Sequence, residues 1–81
     1  MPKVTIYSRP GCCLCDEVKD KLQRLRQRAE FELEEINVDD NVELRRLYSD
    51  QVPVVMIDGR KAFKFRLDSE EFLRKLAARS L

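Results

Sequence analysis

The chain of 81 residues contains no histidine and no tryptophan, only two glycines and three prolines, and no excess of one charge. The absence of histidine excludes Ser-His-Asp and Cys-His catalytic sets, histidine-ligated metal sites and a histidine pH switch. With 16 basic and 15 acidic residues, the chain lacks the excess of Lys and Arg that a protein needs to bind nucleic acid. Its length leaves room for one domain, which we expect to span residues 1–81.

Long hydrophobic runs are also missing. No apolar segment approaches the ~18–20 residues that a membrane-spanning helix needs, so we expect no membrane partner. The first residues lack the apolar segment and cleavage site of a signal peptide. A secreted disulfide scaffold usually has an even number of cysteines spread along the chain, whereas the three cysteines here lie within four positions. We therefore expect a cytoplasmic protein, and we expect it to be a monomer.

Hydrophobic periodicity predicts the element order β-α-β-α-β-β-α. The predicted elements are, in order, residues 3–8, 12–28, 31–38, 40–48, 53–57 and 61–65, and a last helix that follows residue 68. The first two strands are joined by a helix and should be parallel, while Asp58-Gly59 predicts a hairpin between the last two. The predicted fold is therefore α/β, with a mixed four-stranded sheet and helices on both faces.

Three local patterns make further predictions about these elements. Asp40 with Glu43, and Asp68 with Glu71, resemble capping boxes that begin the second and third helices. The second strand carries apolar residues on both faces, which predicts either a sheet covered on both faces or a bulge near Glu35. An apolar stripe at helical spacing predicts the buried face of the first helix: Leu14, Val18, Leu22, Leu25 and Ala29.

Cys12 and Cys15 form a CxxC motif where the first strand ends and the first helix begins. A cysteine at a helix N-terminus meets unpaired backbone N–H groups and the positive end of the helix dipole, and both favour the nucleophilic thiolate. Residues i and i+3 face the same way, and a tightened first turn brings them within disulfide distance. We predict two catalytic residues, with Cys12 the exposed nucleophile and Cys15 the more buried resolving cysteine.

Two neighbours complete the predicted site. Arg9, three residues before Cys12, is predicted to add positive potential, which matters because the chain has no imidazole base. Cys13 should project beside the site, where it either modulates reactivity or is only a small neighbour. Turnover would begin with attack of the Cys12 thiolate on a target disulfide and end with resolution of the mixed disulfide by Cys15.

These residues resemble those of the glutaredoxins, within the thioredoxin-fold superfamily. Residues 4–15 are similar to the first strand and CxxC of that family, residues 35–39 to the end of its second strand, and Gln51-Val52-Pro53 to the Val-Pro before its third strand. The nearest subgroup is that of small bacterial glutaredoxin-like proteins with a Gly-Cys-x-Leu-Cys active site. The resemblance implies a thioredoxin-like fold over nearly the whole chain.

The resemblance also implies substrate-binding roles for Arg9, Val52 and Pro53. Pro53 would be cis and face the CxxC motif, the Val52 backbone would pair with an incoming thiol peptide as an added strand, and Arg9 would contact a glutathione carboxylate. Two departures concern glutathione. Typical glutaredoxins carry Pro-Tyr between the cysteines and a Gly-Gly turn before the last helix, whereas this chain has Cys13-Leu14 and, at residues 63–68, no glycine.

The expected function is that of a thiol-disulfide oxidoreductase which reduces protein disulfides or glutathione mixed disulfides. We expect no permanently bound cofactor and no resident metal, and the electrons would come from glutathione or from a thioredoxin-reductase-type partner. Two alternatives stay open. One is an iron–sulfur cluster bridged between two copies by Cys12 and glutathione. The other is an interaction module that keeps the fold without turnover.

Overall fold

Within residues 2–80, four strands and three α-helices follow one another in the predicted order. The computed structural model describes residues 2–80, and the side chains of all of them except residues 79 and 80. The elements are β1 (Lys3–Ser8), α1 (Cys13–Leu25), β2 (Glu32–Asn37), a short 3-10 helix (Val38–Asp40), α2 (Val42–Tyr48), β3 (Val54–Ile57), β4 (Arg60–Lys64) and α3 (Ser69–Ser80). Within residues 2–80, no helix is long and apolar enough to cross a membrane.

The strands form one mixed sheet with the order β2-β1-β3-β4. β1 runs parallel to β2 and antiparallel to β3, and β3 runs antiparallel to β4. In the turn between β3 and β4, Asp58 and Gly59 have φ values of 50° and 83°. Positive φ at both central positions is what a type I′ hairpin turn requires, so the predicted hairpin is confirmed.

The sheet is covered on both faces, as predicted. α1 and α3 pack on one face and α2 on the other, where the rings of Tyr7 and Tyr48 stack with their centroids 5.0 Å apart. The main core lies between the sheet and the layer formed by α1 and α3. Its buried residues are Val4, Ile6, Val18, Leu22, Leu25, Phe31, Val55, Ile57, Leu67, Phe72 and Leu76.

The two apolar faces of the second strand are explained by this double cover rather than by a bulge. β2 pairs with β1 in continuous register from Lys3↔Glu32 to Ser8↔Asn37. Leu33 packs against the main core, and Ile36, on the opposite face of the strand, is half-buried. The register shift in the sheet lies elsewhere, between Val55 and Met56 of β3.

α1 is shorter than predicted, and its buried face, which includes Val18, Leu22 and Leu25 as predicted, differs from the prediction in the first turn. The helix covers Cys13–Leu25 rather than residues 12–28, and Cys12 is its N-cap. The buried positions are 15, 18, 22 and 25. Leu14 therefore falls outside the stripe in which it was predicted, since it lies about 100° around the helix from the buried Cys15.

The predicted cap of α2 is wrong by one residue, while that of α3 is correct. Asn41, not Asp40, caps α2, because its Oδ1 accepts hydrogen bonds from the N–H groups of Glu43 and Leu44 at 2.9 and 3.1 Å. Asp68 caps α3, where its Oδ1 accepts from the N–H groups of residues 70 and 71 at 3.0 and 3.1 Å.

Candidate active site

The cysteines lie at the carboxyl end of β1, where the chain turns into α1. Gly11 has a φ of 76°, a left-handed conformation that glycine adopts without steric cost. The turn leaves Cys12 in an extended conformation, with φ −91° and ψ 109°, immediately before the first residue of the helix. The predicted strand-to-helix junction is therefore present, and it places Cys12 at the N-terminus of α1.

The sulfur of Cys12 caps the helix. Cys12 Sγ accepts a hydrogen bond from the backbone N–H of Cys15 at 3.2 Å. This is the contact that a Ser or Asp oxygen usually makes at an N-cap. A thiolate accepts such a bond more strongly than a thiol does, because the acceptor then carries a charge. The geometry therefore gives the Cys12 sulfur a backbone N–H donor at the start of the helix.

Cys15 is more deeply buried than Cys12, and the pKa of its thiol is raised. Cys15 is fully buried, whereas Cys12 is half-buried. Burial, with a smaller contribution from a hydrogen bond with Cys12, raises the pKa of the Cys15 thiol from 9.0 to about 11. A backbone hydrogen bond from Arg9 and the charge of Lys19 act against this rise. Cys15 is thus a protonated thiol at neutral pH, held beneath Cys12.

Arg9 and Cys13 lie beside this pair. The Arg9 guanidinium forms an ion pair with Asp39, with Nε and Oδ1 3.3 Å apart, and donates from Nη1 to the Ser49 carbonyl at 3.4 Å. Arg9 therefore ties the cysteine loop to the segments before and after α2. Its predicted contact with a glutathione carboxylate stays a prediction. The Cys13 thiol is exposed and free, in the position expected of a neighbour.

The Val52-Pro53 segment lies next to the same edge of the sheet. The Val52–Pro53 peptide bond is cis, as the resemblance implied. Val54 pairs with Tyr7 near the carboxyl end of β1, so the preceding Pro53 is brought toward the strand end from which the cysteine loop departs. The Pro53 carbonyl accepts a hydrogen bond from the Phe65 N–H at 2.9 Å.

Comparison with known proteins identifies the family. Residues 3–77 match the family described as Glutaredoxin-like domain (DUF836). The chain belongs to this glutaredoxin-like family. A protein of Nitrosomonas europaea solved by NMR is 39% identical to it, with a TM-score of 0.81 over 93% of this chain and 91% of that one.

Two further proteins are similar to this chain, one in sequence and one in fold. An uncharacterized protein of Mycobacterium tuberculosis is 36% identical over 98% of this chain and 86% of its own length. A thioredoxin of Halobacterium salinarum shares the fold at 17% identity, with a TM-score of 0.72 over 95% of this chain and 73% of that one. The glutaredoxin-like protein therefore has a thioredoxin-like fold, as expected.

Several residues near the site of this glutaredoxin-like protein were not identified from the sequence. Lys19 Nζ bridges Asp16 at 3.5 Å and Glu35 at 3.3 Å, next to the buried cysteine. The i+4 spacing of Lys19 from Cys15 was the available signal, because it places both on one helix face. Among residues 2–80, no three His, Cys, Asp or Glu side chains are arranged to hold a metal ion.

Proposed function

We propose that this glutaredoxin-like protein is a thiol-disulfide oxidoreductase, with Cys12 as nucleophile and Cys15 as resolving cysteine. The observation that carries the proposal is the arrangement at the start of α1: Cys12 Sγ accepts the N–H of Cys15 at 3.2 Å, and the Cys15 thiol is buried behind it. Such a pair divides attack and resolution between an accessible sulfur and a protected one.

In the first half of the reaction, the Cys12 thiolate attacks one sulfur of a target disulfide. A Cys12–target disulfide forms, the target S–S bond breaks, and the other target sulfur leaves as a thiolate. Because the Cys15 N–H already points at Cys12 Sγ, the attacking sulfur is oriented before the target arrives. The protein contributes no imidazole base, since the chain has no histidine.

In the second half, Cys15 gives up its proton, which the departing target thiolate takes up, and its sulfur attacks Cys12 Sγ. The Cys12–Cys15 disulfide forms, the Cys12–target S–S bond breaks and the second target sulfur leaves, so two electrons pass from the protein to the target. Glutathione or a reductase returns the two electrons and restores the dithiol. This chemistry fits the reducing cytoplasm that the cysteine pattern predicts.

The substrate would be a protein disulfide or a glutathione mixed disulfide. The half-buried Val52 precedes β3, and its backbone is proposed to pair with the target segment as an added strand. Pro53 and Arg9 are proposed to border the same segment. Cys13 is proposed to tune the reaction without being required for it.

The test uses three serine variants and a small symmetric model disulfide. Cys12→Ser should reduce the disulfide at the uncatalysed rate, because serine offers no thiolate. Cys15→Ser should accumulate a mixed disulfide on Cys12, detectable as a mass increase of one target thiol. Cys13→Ser is the matched control and should retain turnover. A Cys12→Ser variant as fast as the wild type would overturn the proposal and favour a non-catalytic module.

A further inference from the structure

A groove of about 470 Å³ runs between α1 and the segment that leads into α3. Its apolar lining residues are Leu14, Val18, Phe65 and Leu67, and its charged lining includes Lys21 and Arg66. We call it the Leu14–Phe65 groove. It begins within the CxxC motif itself, because Leu14 lies between Cys12 and Cys15.

The Phe65 wall of the groove is unusual in its backbone. Phe65 has a φ of 72°, a left-handed conformation that costs energy for a bulky residue. Its backbone N–H donates to the Pro53 carbonyl at 2.9 Å, yet the residue is 41% exposed. Strained residues of this kind concentrate at ligand sites, where the surrounding structure holds them in place. Burial in the core therefore does not explain why a phenylalanine occupies this left-handed position.

The Leu14 wall is likewise apolar and uncovered. Leu14 is 45% exposed, although it sits on the first turn of α1 beside two reactive sulfurs. Val18, one turn further along the helix, is buried and closes the inner side of the groove. Two exposed apolar side chains facing one cavity make a surface that an apolar side chain of a partner would cover.

The charges around the groove are mostly positive. Lys21 and Arg66 line it, and Lys64 Nζ lies 5.3 Å from the centre of the Phe65 ring. Lys21 Nζ is fixed by the Leu67 carbonyl at 3.0 Å. Glu17 is the acidic residue of the lining. A segment that combines an apolar side chain with acidic ones would thus match both the walls and the charge.

The groove is also joined to the segment where the target backbone is proposed to pair. The hydrogen bond from Phe65 N–H to the Pro53 carbonyl places the aromatic wall directly beside residues 52 and 53. A target held at Val52 and attacked by Cys12 would therefore present the side chains next to its reactive cysteine to this groove.

We propose that the Leu14–Phe65 groove selects protein disulfides in which the reactive cysteine is flanked by an apolar and an acidic residue, in preference to glutathione mixed disulfides. Glutathione carries carboxylates but no apolar side chain. It would therefore match the positive charge of the groove but leave the Leu14 and Phe65 side chains exposed to solvent. This inference rests on the proposed oxidoreductase activity and deepens it by naming the substrate class.

The test compares kcat/KM for mixed disulfides of one reporter thiol with four partners. These are a peptide with Leu and Glu after its cysteine, the same peptide with Ala for Leu, the same peptide with Lys for Glu, and glutathione. The wild type should prefer the Leu-Glu peptide over each of the other three by about tenfold, as expected when one side chain is bound or excluded.

Phe65→Gly is the informative variant, because glycine accepts the φ of 72° without strain and the fold should be retained. It should lose most of the preference for Leu over Ala, and Arg66→Gln should lose most of the preference for Glu over Lys. Leu47→Ala, which truncates a leucine that is 56% exposed on α2, is the matched control and should keep both preferences. Thermal unfolding of each variant verifies that it is folded.

Three outcomes would overturn the inference. Equal kcat/KM for all four partners would show that the groove selects nothing, while the proposed function would stand. A Phe65→Gly variant that gains activity on the glutathione disulfide alone would show that Phe65 only blocks that ligand. No exchange with any partner, nor with a small model disulfide, would remove the proposed function together with this inference.

Discussion

At the scale of single residues, the sulfurs of Cys12 and Cys15, the proposed catalytic pair, differ in how deeply they are buried. Cys15 is fully buried and its pKa is raised to about 11, while an unfolded chain would titrate at the ordinary value of 9.0. A thiol whose pKa is raised by folding favours the folded state at lower pH. That contribution is fully present below pH 9 and is lost as the pH rises through 11.

The reduced protein should therefore lose stability at high pH through Cys15. Between pH 8 and pH 11, we expect this thiol to lower the free energy of unfolding by about 2 kcal/mol. Denaturant unfolding under reducing conditions measures the change, and Cys15→Ala is the comparison, because tyrosines and lysines titrate in the same range in both proteins. Parallel pH profiles for the two would contradict the prediction.

The residue scale also shows what the sequence could predict about the site. Cys12 and Cys15 could be predicted as the reactive pair because their spacing and their strand-to-helix junction are both local features. Phe65 was not identified as a groove wall, since its left-handed backbone is held by a hydrogen bond to Pro53. That bond depends on the meeting of two segments distant in sequence, and no local pattern reports it. Leu14 was assigned to the core because it continues the spacing of Val18 and Leu22, whereas Cys15 is the residue buried in the first turn.

At the scale of elements, the start of α2 shows how a neighbouring turn determines which of two adjacent residues, Asp40 or Asn41, caps the helix. Asp40 and Asn41 are both residue types that cap helices well. Asn37 Oδ1 accepts the N–H of Asp39 at 2.9 Å and begins the 3-10 helix Val38–Asp40. Because Asp40 is the last residue of that 3-10 helix, the next residue, Asn41, is the N-cap of α2. The presence of the helix was predictable from its pattern, but the competing turn was not.

Asn41→Ala should lower the free energy of unfolding by about 1 kcal/mol, because two N–H groups of α2 lose their acceptor. Asn41→Asp should retain most of the stability, since its carboxylate can accept the same bonds. Asp40→Ala should change the free energy by less than about 0.5 kcal/mol, as is usual for a surface substitution. Denaturant unfolding of the three variants distinguishes the caps. A greater loss for Asp40→Ala than for Asn41→Ala would restore the cap predicted from the sequence.

At the scale of the whole molecule, an aromatic cluster ties the sheet to its last helix. Phe72 of α3 contacts Phe31 edge-on, with ring centroids 5.3 Å apart, and lies 6.5 Å from Phe63 of β4. Phe31 precedes β2, so the cluster links the two edge strands of the sheet through one helix. Short connections and a right-handed crossover predicted the parallel β1–β2 pair and the β3–β4 hairpin. They did not predict that these rings meet, because that contact depends on the packing of three separated segments.

Phe72→Ala should therefore affect the whole fold rather than α3 alone. Removing a fully buried phenylalanine costs about 3–5 kcal/mol, a large share of the ~5–15 kcal/mol that stabilises a typical domain. Phe72→Leu should cost less, and Val42→Ala, at a position 69% exposed, is the control that should change little. We expect Phe72→Ala to unfold in one transition at lower denaturant, with Cys15 becoming reactive at the same midpoint. If Cys15 stayed protected after the helical signal was lost, α3 would unfold independently of the core that holds the cysteines.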